Sequence, residues 1–484
     1  MQIAPILRVL GFLLLCLAGA MSLPLLLALL SGGPEAFPIF LALMCTAVGG
    51  LLGILAYRRR VDIGTREGFV IVTAAWIFFS AFGALPFYFS GMLPSYTDAY
   101  FEAMSGFTTT GATVLTDIEK HPLSLLFWRS FMQWLGGMGI IVLSLAILPM
   151  LGIGGMQLYK AEVTGPVPDR LVPRIGQTAR LLWGIYVLLS GIEVFLLVLF
   201  GMPFVEALMH TFATIATGGF SPKAASVGAY QSAAIDTVII IFMFLGGVNF
   251  TLHFRALRGN FRAYRDPEFR FYGASVLIAI GIMTLVLWGS AYADLASALR
   301  YGAFQVVSIV TTTGFGTADY NTWPFFAQFL LLCLMLVGAC AGSTSGAIKH
   351  IRSLLLFKVA YDHLYKLVHP KAVRVVKIGG KVVPKDVLDG VHAFVLLYFL
   401  SFFVATASLT LLDVDLVTAI GAVASTMGNV GPGLGLVGPM ENYAVIPALG
   451  KWILSACMVL GRLELFTVLV LFTPDLWQGL AWRR

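Results

Sequence analysis

Charge is scarce in this sequence: 11% of its 484 residues are Asp, Glu, Lys or Arg, while 59% are hydrophobic. Soluble domains carry about 25% charged residues, so the shortage excludes an ordinary soluble domain. With a mean hydropathy of +0.90, it marks a polytopic membrane protein. Cysteine is nearly as sparse. Cys16, Cys45, Cys333, Cys340 and Cys457 all fall in apolar segments without a Cys-x-x-Cys spacing, which argues against a disulfide framework or a thiolate metal site. None of the seven histidines forms His-Glu-x-x-His, and paired-aspartate metal motifs and a nucleophile elbow are lacking. Those absences leave a membrane enzyme without support. There is also no Gly-rich nucleotide loop following a strand, so a nucleotide that regulates the chain has to be bound by a partner. The net charge of +7 would suggest nucleic acid in a soluble protein. Here the placement of the charges matters more than their sum, and no nucleic-acid partner is expected.

What is present is apolar length. A spanning helix needs about 20 residues, and ten segments qualify: near 8–30, 38–57, 68–91, 125–151, 181–201, 234–254, 270–290, 323–357, 388–411 and 444–472. The first has a signal-peptide look, with Arg8 ahead of the run and Ala18-Gly19-Ala20 within it. It continues through Leu30, so an uncleaved helix is expected. Four further apolar stretches, about 95–108, 203–215, 296–310 and 416–427, are too short to span.

Each short stretch leads into a polar-glycine string: Thr109-Thr110-Gly111, Ala216-Thr217-Gly218, Thr312-Thr313-Gly314 and Asn429-Val430-Gly431. Taking 111, 218, 314 and 431 as central glycines, the intervals are 107, 96 and 117 residues. Gly428 is an alternative centre for the fourth string. The expected architecture is an all-α polytopic membrane protein of four tandem helix–pore loop–helix repeats around a pseudo-fourfold axis. An N-terminal helix pair (1–66) precedes repeats over 67–160, 161–265, 266–370 and 371–484.

Basic residues cluster after alternate segments: Arg58–Arg60 and Arg66; Lys160, Arg170, Arg174 and Arg180; Arg255, Arg258, Arg262, Arg265 and Arg270; and nine from Lys349 to Lys385. The other side carries only Lys120, Arg129, Lys223, Arg300 and Lys451. The asymmetry places the basic loops and the N-terminus in the cytoplasm and brings all four strings in from outside. Asp98, Asp117, Glu119, Asp294, Asp319, Asp413, Asp415 and Glu441 lie on that outer side, either as an acidic mouth that concentrates cations or as ordinary solvated charge.

Non-helical backbone at membrane depth must be buried in protein or line water. Four such strings around one axis can offer carbonyl oxygens to a dehydrated cation, and Asn-Val-Gly-Pro-Gly matches the potassium-channel filter Thr-Val-Gly-Tyr-Gly at three of five positions. Glycine supplies the unusual dihedrals, and the short helices aim their partially negative C-termini at the axis.

Segment 323–357 is too long for one span, and its middle, 338–347, is rich in Gly, Ser and Thr. A broken helix with a loop across the cavity is expected, centred on Gly342, Ser343, Thr344, Ser345 and Gly346. Arg462 stands ten residues into the last segment, about 15 Å deep. It needs an interior partner. Glu464, two residues on, faces elsewhere, and the oxygens of 342–346 are the better candidates. Gly136-Gly137-Met138-Gly139 and Gly246-Gly247 occupy similar places in earlier repeats, where they could let the helices approach closely or bend, with close packing the main expectation.

These residues resemble the superfamily of potassium transporters that includes bacterial Trk and Ktr subunits and plant HKT proteins, over essentially the whole chain. The extra helix pair is similar to the Trk branch. The resemblance implies a potassium filter at Thr109, Thr110, Gly111, Ala216, Thr217, Gly218, Thr312, Thr313, Gly314, Asn429, Val430 and Gly431, of which Ala216 and Asn429 depart from an all-threonine pattern. It further implies a gate formed by the 338–347 loop and Arg462. It also implies a homodimer in the bacterial inner membrane and a cytoplasmic ring of nucleotide-binding RCK-type subunits. Potassium is then the transported ligand, and no separate cofactor is expected. A sodium-preferring or ion-coupled conduit of the same fold stays open.

Overall fold

A computed structural model describes residues 3–55, 64–146 and 175–477; the basic residues expected in the first two inner loops, apart from Arg66 and Arg180, lie outside that range. The described chain is a helical membrane-type protein. Its N-terminal pair, α1 (Ile3–Ser31) and α2 (Ala36–Leu55), packs through glycines. A Cβ at Gly11, Gly50 or Gly53 would lie 2.6–2.9 Å from backbone atoms of the opposite helix, so only glycine permits this approach.

The next helices are α3 (Thr65–Gly83), the single turn α4 (Leu85–Phe89), α5 (Tyr96–Phe107) and α6 (Leu123–Ala146). After the undescribed stretch come α7 (Ile175–Leu199), α8 (Phe204–Ile215), α9 (Ala233–Gly246) and α10 (Phe250–Leu257). They are followed by α11 (Pro267–Leu287), α12 (Leu295–Val310), α13 (Phe325–Val337) and α14 (His350–Val368). Last come α15 (Lys385–Thr410), α16 (Leu416–Gly428), α17 (Ala448–Arg462) and α18 (Phe466–Leu469). The four short stretches are therefore the helices α5, α8, α12 and α16. Their C-terminal halves are almost entirely buried, the environment in which an irregular chain can follow a helix inside a membrane.

Six described helices are long and apolar enough to cross a membrane. The 323–357 segment is split as expected, between α13 and α14. Two further segments are bent rather than straight, which corrects the expectation of continuous spans: α9 meets α10 at 100°, and the helix ending at Arg462 meets the next at 113°. At the first bend Gly246-Gly247 ends a helix rather than only packing it, and Asn249 Oδ1 caps the next by accepting the Thr251 N–H at 2.9 Å. At the second, Glu464 (φ 57°) and Leu465 (φ 48°) adopt left-handed backbone without any glycine. That geometry costs on the order of 1–3 kcal/mol per residue and needs tertiary support.

A hairpin of β1 (Lys377–Ile378) and β2 (Lys381–Val382) was not anticipated. Its two-residue turn is Gly379-Gly380, both at positive φ, as a type I′ hairpin requires.

Candidate functional site

The four short helices end alike. In each, one residue enters the left-handed region and a glycine two positions later does the same: Thr109 (51°) and Gly111 (84°), Thr217 (52°) and Gly219 (75°), Thr312 (59°) and Gly314 (82°), Asn429 (54°) and Gly431 (107°). The residue between them closes the same hydrogen bond each time. The N–H groups of Thr110, Gly218, Thr313 and Val430 donate to the carbonyls five residues back, of Ser105, Ala213, Ser308 and Ser425, at 2.7–2.8 Å. A left-handed residue satisfying the last carbonyls of a helix is ordinary C-terminal capping; its fourfold recurrence in one register is what distinguishes these ends.

That register corrects the second string by one residue. Ala216 ends its helix, as Thr108 and Thr311 do, so Gly219 rather than Gly218 corresponds to Gly111. In the fourth string Gly428 is the last helical residue, which leaves Gly431 as the counterpart.

The strings meet in a closed circle. A Cβ on Gly111 would collide with the Gly218 carbonyl, one on Gly219 with that of Thr313, and one on Gly314 with that of Val430; one on Gly431 would lie 2.8 Å from the Thr110 oxygen. Each string abuts the next, and the fourth returns to the first. Gly111, Gly219, Gly314 and Gly431 line one cavity of about 110 Å³. All twelve residues singled out in the sequence are thus in or beside this circle. Strings one and three pair hydroxyls, Thr108 with Thr110 and Thr311 with Thr313, each at 2.8 Å; strings two and four have Ala, Gly and Val at those places. The circle is braced from behind. Gln133 donates to the Gly218 carbonyl at 2.6 Å and accepts the Phe220 N–H at 3.0 Å, and the Tyr443 hydroxyl donates to the Gly431 carbonyl at 2.8 Å. Sequence reading missed both braces, since lone Gln and Tyr residues in apolar segments carry no positional signal.

Residues 342–346 lie between α13 and α14, directly against the strings. The Gly346 N–H donates to Thr312 Oγ1 at 2.9 Å. The Thr344 hydroxyl reaches the Ile215 and Gly246 carbonyls at 3.0 and 3.1 Å, and the Cys340 N–H donates to the Gly247 carbonyl at 3.0 Å. The bend after α9 therefore exposes the carbonyls that this loop occupies. Arg462, only 2% exposed, donates to the Thr344 carbonyl at 2.6 Å and to the Gly136 carbonyl at 3.3 Å. Glu464 turns away to Lys349 (2.9 Å) and Arg352 (2.5 Å). At the loop's ends Glu268, which sequence reading passed over, accepts the Ala341 N–H at 2.6 Å and the Ile351 N–H at 3.1 Å.

The charges expected on the outer side are mostly engaged. Each of the five basic residues in this group has a carboxylate partner: Lys120 with Asp117, Arg129 with Glu102, Lys223 with Glu206, Arg300 with Asp236 and Lys451 with Asp98. Asp294 and Asp415 cap α12 and α16, and hydrogen bonds from Ser297 and Thr418 hold both carboxyls below their usual range. Asp319 caps a short turn, and Glu119 accepts the Ala224 N–H. Glu441 borders the small cavity. Among the described residues no three His, Cys, Asp or Glu side chains converge as metal ligands, so the oxygens concentrated at the circle are carbonyls and hydroxyls.

Comparison with known proteins identifies the family. Residues 37–484 match the TrkH family, described as a cation transport protein. The Trk system potassium uptake protein TrkH of Salmonella typhimurium is 46% identical, covering 99% of this chain and 100% of its own. That of Escherichia coli K12 is 44% identical at the same coverage. The crystal structure of the potassium transporter TrkH from Vibrio parahaemolyticus superposes with a TM-score of 0.91 at 38% identity, covering 99% of this chain and 100% of that one. These relatives are named for transport rather than for an enzymatic reaction, and the chain belongs to the TrkH family of cation transport proteins.

Proposed function

We propose that the chain is a multi-pass subunit of the bacterial inner membrane, N-terminus in the cytoplasm, that takes up potassium along the axis of the four strings. Each string, with the short helix before it and the longer helices on either side, forms one quarter of a pore with pseudo-fourfold symmetry. The carbonyl and hydroxyl oxygens of Thr109–Gly111, Thr217–Gly219, Thr312–Gly314 and Asn429–Gly431 stand in for the hydration shell of a bare cation. The observation that carries this reading is the closed circle of glycine-to-carbonyl contacts. Potassium is preferred over sodium because all four positions that approach a neighbouring carbonyl are glycine, and the names of the relatives point the same way.

The loop at 342–346, tied by Arg462, is the gate beneath the filter. A buried arginine there costs about 2.5–3.5 kcal/mol on insertion scales, offset by the carbonyls it binds, and its charge opposes cation passage until the loop moves. The subunit works as a homodimer under a cytoplasmic RCK-type partner that docks on the basic inner face. Uptake of rubidium or potassium into liposomes holding the purified protein tests the reading. Sodium uptake without potassium uptake would overturn it.

A further inference from the structure

Beneath the loop, on the side away from the strings, lies a cavity of about 520 Å³, within the ~300–1,000 Å³ range of small-molecule sites. One wall is the loop itself at Ala341 and Gly342; another is the 377–382 hairpin. Six basic side chains line it against three carboxylates. Those carboxylates are already committed. Asp266 Oδ1 accepts the Glu268 and Phe269 N–H groups, Glu268 accepts from Ala341 and Ile351, and Glu464 pairs with Lys349 and Arg352. Arg255, Arg262 and Arg265 also line the cavity, and among the described residues none of them forms an ion pair.

Three arginines lining one concave space, none of them in an ion pair among the described residues, match an oxyanion with several acceptor oxygens, which arginine binds bidentately. We infer that this cavity binds a phosphoryl group, carried by a soluble polyphosphate or by a lipid headgroup, through Arg255, Arg262 and Arg265. The bound anion sits in the cavity that Glu268 also lines. There it disfavours negative charge on Glu268, the acceptor for the N–H groups at both ends of the loop, and so loosens the loop. This second step rests on the loop being the gate; the binding step does not.

The test uses the full chain in nanodiscs of zwitterionic lipid, without any partner, titrated with sodium pyrophosphate at constant ionic strength. Saturable binding is expected, weakened about tenfold or more in the triple variant Arg255→Gln, Arg262→Gln, Arg265→Gln. The corresponding triple Lys variant, which keeps the charge but not the bidentate fork, binds more weakly than the wild type and more tightly than the triple Gln variant, and shows that the fold tolerates the changes. Arg374→Gln, outside the cavity, leaves it unaltered. If nanodiscs containing phosphatidylglycerol stabilise the wild type but not the triple Gln variant, and pyrophosphate no longer adds to that, a lipid headgroup is the occupant and the site stands. Pyrophosphate binding that is absent with both lipids, or equal in the wild type and the triple Gln variant, overturns the site. In liposomes, pyrophosphate on the cytoplasmic side should raise rubidium flux about two- to fivefold. Binding with unchanged flux removes the coupling to the loop, and absence of flux under all conditions counts against the conduit and not against the site.

Discussion

The Arg462 guanidinium and the Thr344 carbonyl are 2.6 Å apart, one at the end of the last long helix and the other in the loop across the fold's centre. A charge-assisted hydrogen bond of this kind contributes about 1.5–3 kcal/mol, so removing it should shift the loop's open-to-closed ratio by about ten- to a hundredfold. Arg462→Ala is therefore expected to raise basal rubidium flux, and deletion of 342–346 to raise it further. Lower or unaltered flux in monodisperse protein would remove the gate.

The contact between Gly219 and the Thr313 carbonyl separates two registers of the second string. Gly219 has φ 75° and its Cβ would strike backbone, whereas a Cβ on Gly218 would come nearest to the side chain of Gln133, which can yield at the cost of its hydrogen bonds to Gly218 and Phe220. Gly219→Ala should abolish potassium selectivity or flux, with a backbone penalty of about 1–2 kcal/mol on top of the collision. Gly218→Ala should be milder. Potassium-to-sodium flux ratios decide between them, and a more severe Gly218 variant would restore the other register.

Much of this was legible in the chain. Apolar length located the helices, and a glycine-bearing polar string after each short stretch, Thr-Thr-Gly in the first and third, located the strings, because both signals are local. The register of Ala216-Thr217-Gly218-Gly219 was not, since two adjacent glycines look alike until the helix end is known. The bend at Glu464-Leu465 carries no glycine or proline; it depends on Lys349 and Arg352 reaching Glu464 from more than a hundred residues away. Glu268 was passed over because a glutamate two residues after Asp266 reads as an N-terminal helix charge. Its partners Ala341 and Ile351 are known only once the loop is placed.

The helix caps give a pH dependence with a definite sign. Asp415 is held below its ordinary value of 3.8 by hydrogen bonds from Thr418, first the hydroxyl and then the N–H. A depressed folded value means that the stabilisation is present above the unfolded value and is lost as pH falls through the folded one. From pH 5 to 8 the cap is intact, and Asp415→Ala should lower stability by about 1 kcal/mol. Asp415→Asn, which still accepts the Thr418 N–H, should lose less. The difference between wild type and the Asn variant should shrink below pH 4 in thermal unfolding; a difference that grows there would reject the cap as its source.

Docking of a cytoplasmic partner on the inner face should depend on Arg255, Arg258, Arg262 and Arg265, which carry four positive charges on and after α10. Replacing all four with Gln is expected to reduce co-purification with an RCK-type partner and to make the remainder more salt-sensitive. Unchanged co-purification would move the docking surface elsewhere.

The Arg129–Glu102 pair is the buried electrostatic brace behind the first two strings. Its side chains are 3% and 0% exposed and 2.5 Å apart. Glu102 also accepts the Val114 N–H at 2.9 Å and the Thr113 hydroxyl at 3.0 Å, just beyond Gly111. Arg129 donates to the Ser221 carbonyl at 3.0 Å and lies 3.6 Å over the Phe220 ring, just beyond Gly219. Breaking such a pair from one side strands a buried charge and costs about 3–5 kcal/mol. Arg129→Met or Glu102→Gln alone should therefore sharply lower the unfolding temperature and relax potassium-over-sodium selectivity. The double variant should recover much of the stability, since no lone charge is left. Selectivity should stay impaired, because the hydrogen bond from Arg129 to Ser221 and its contact with the Phe220 ring are still missing. Double-variant stability equal to the sum of the single losses would mean that the two residues act independently, and the pair would then not be the brace.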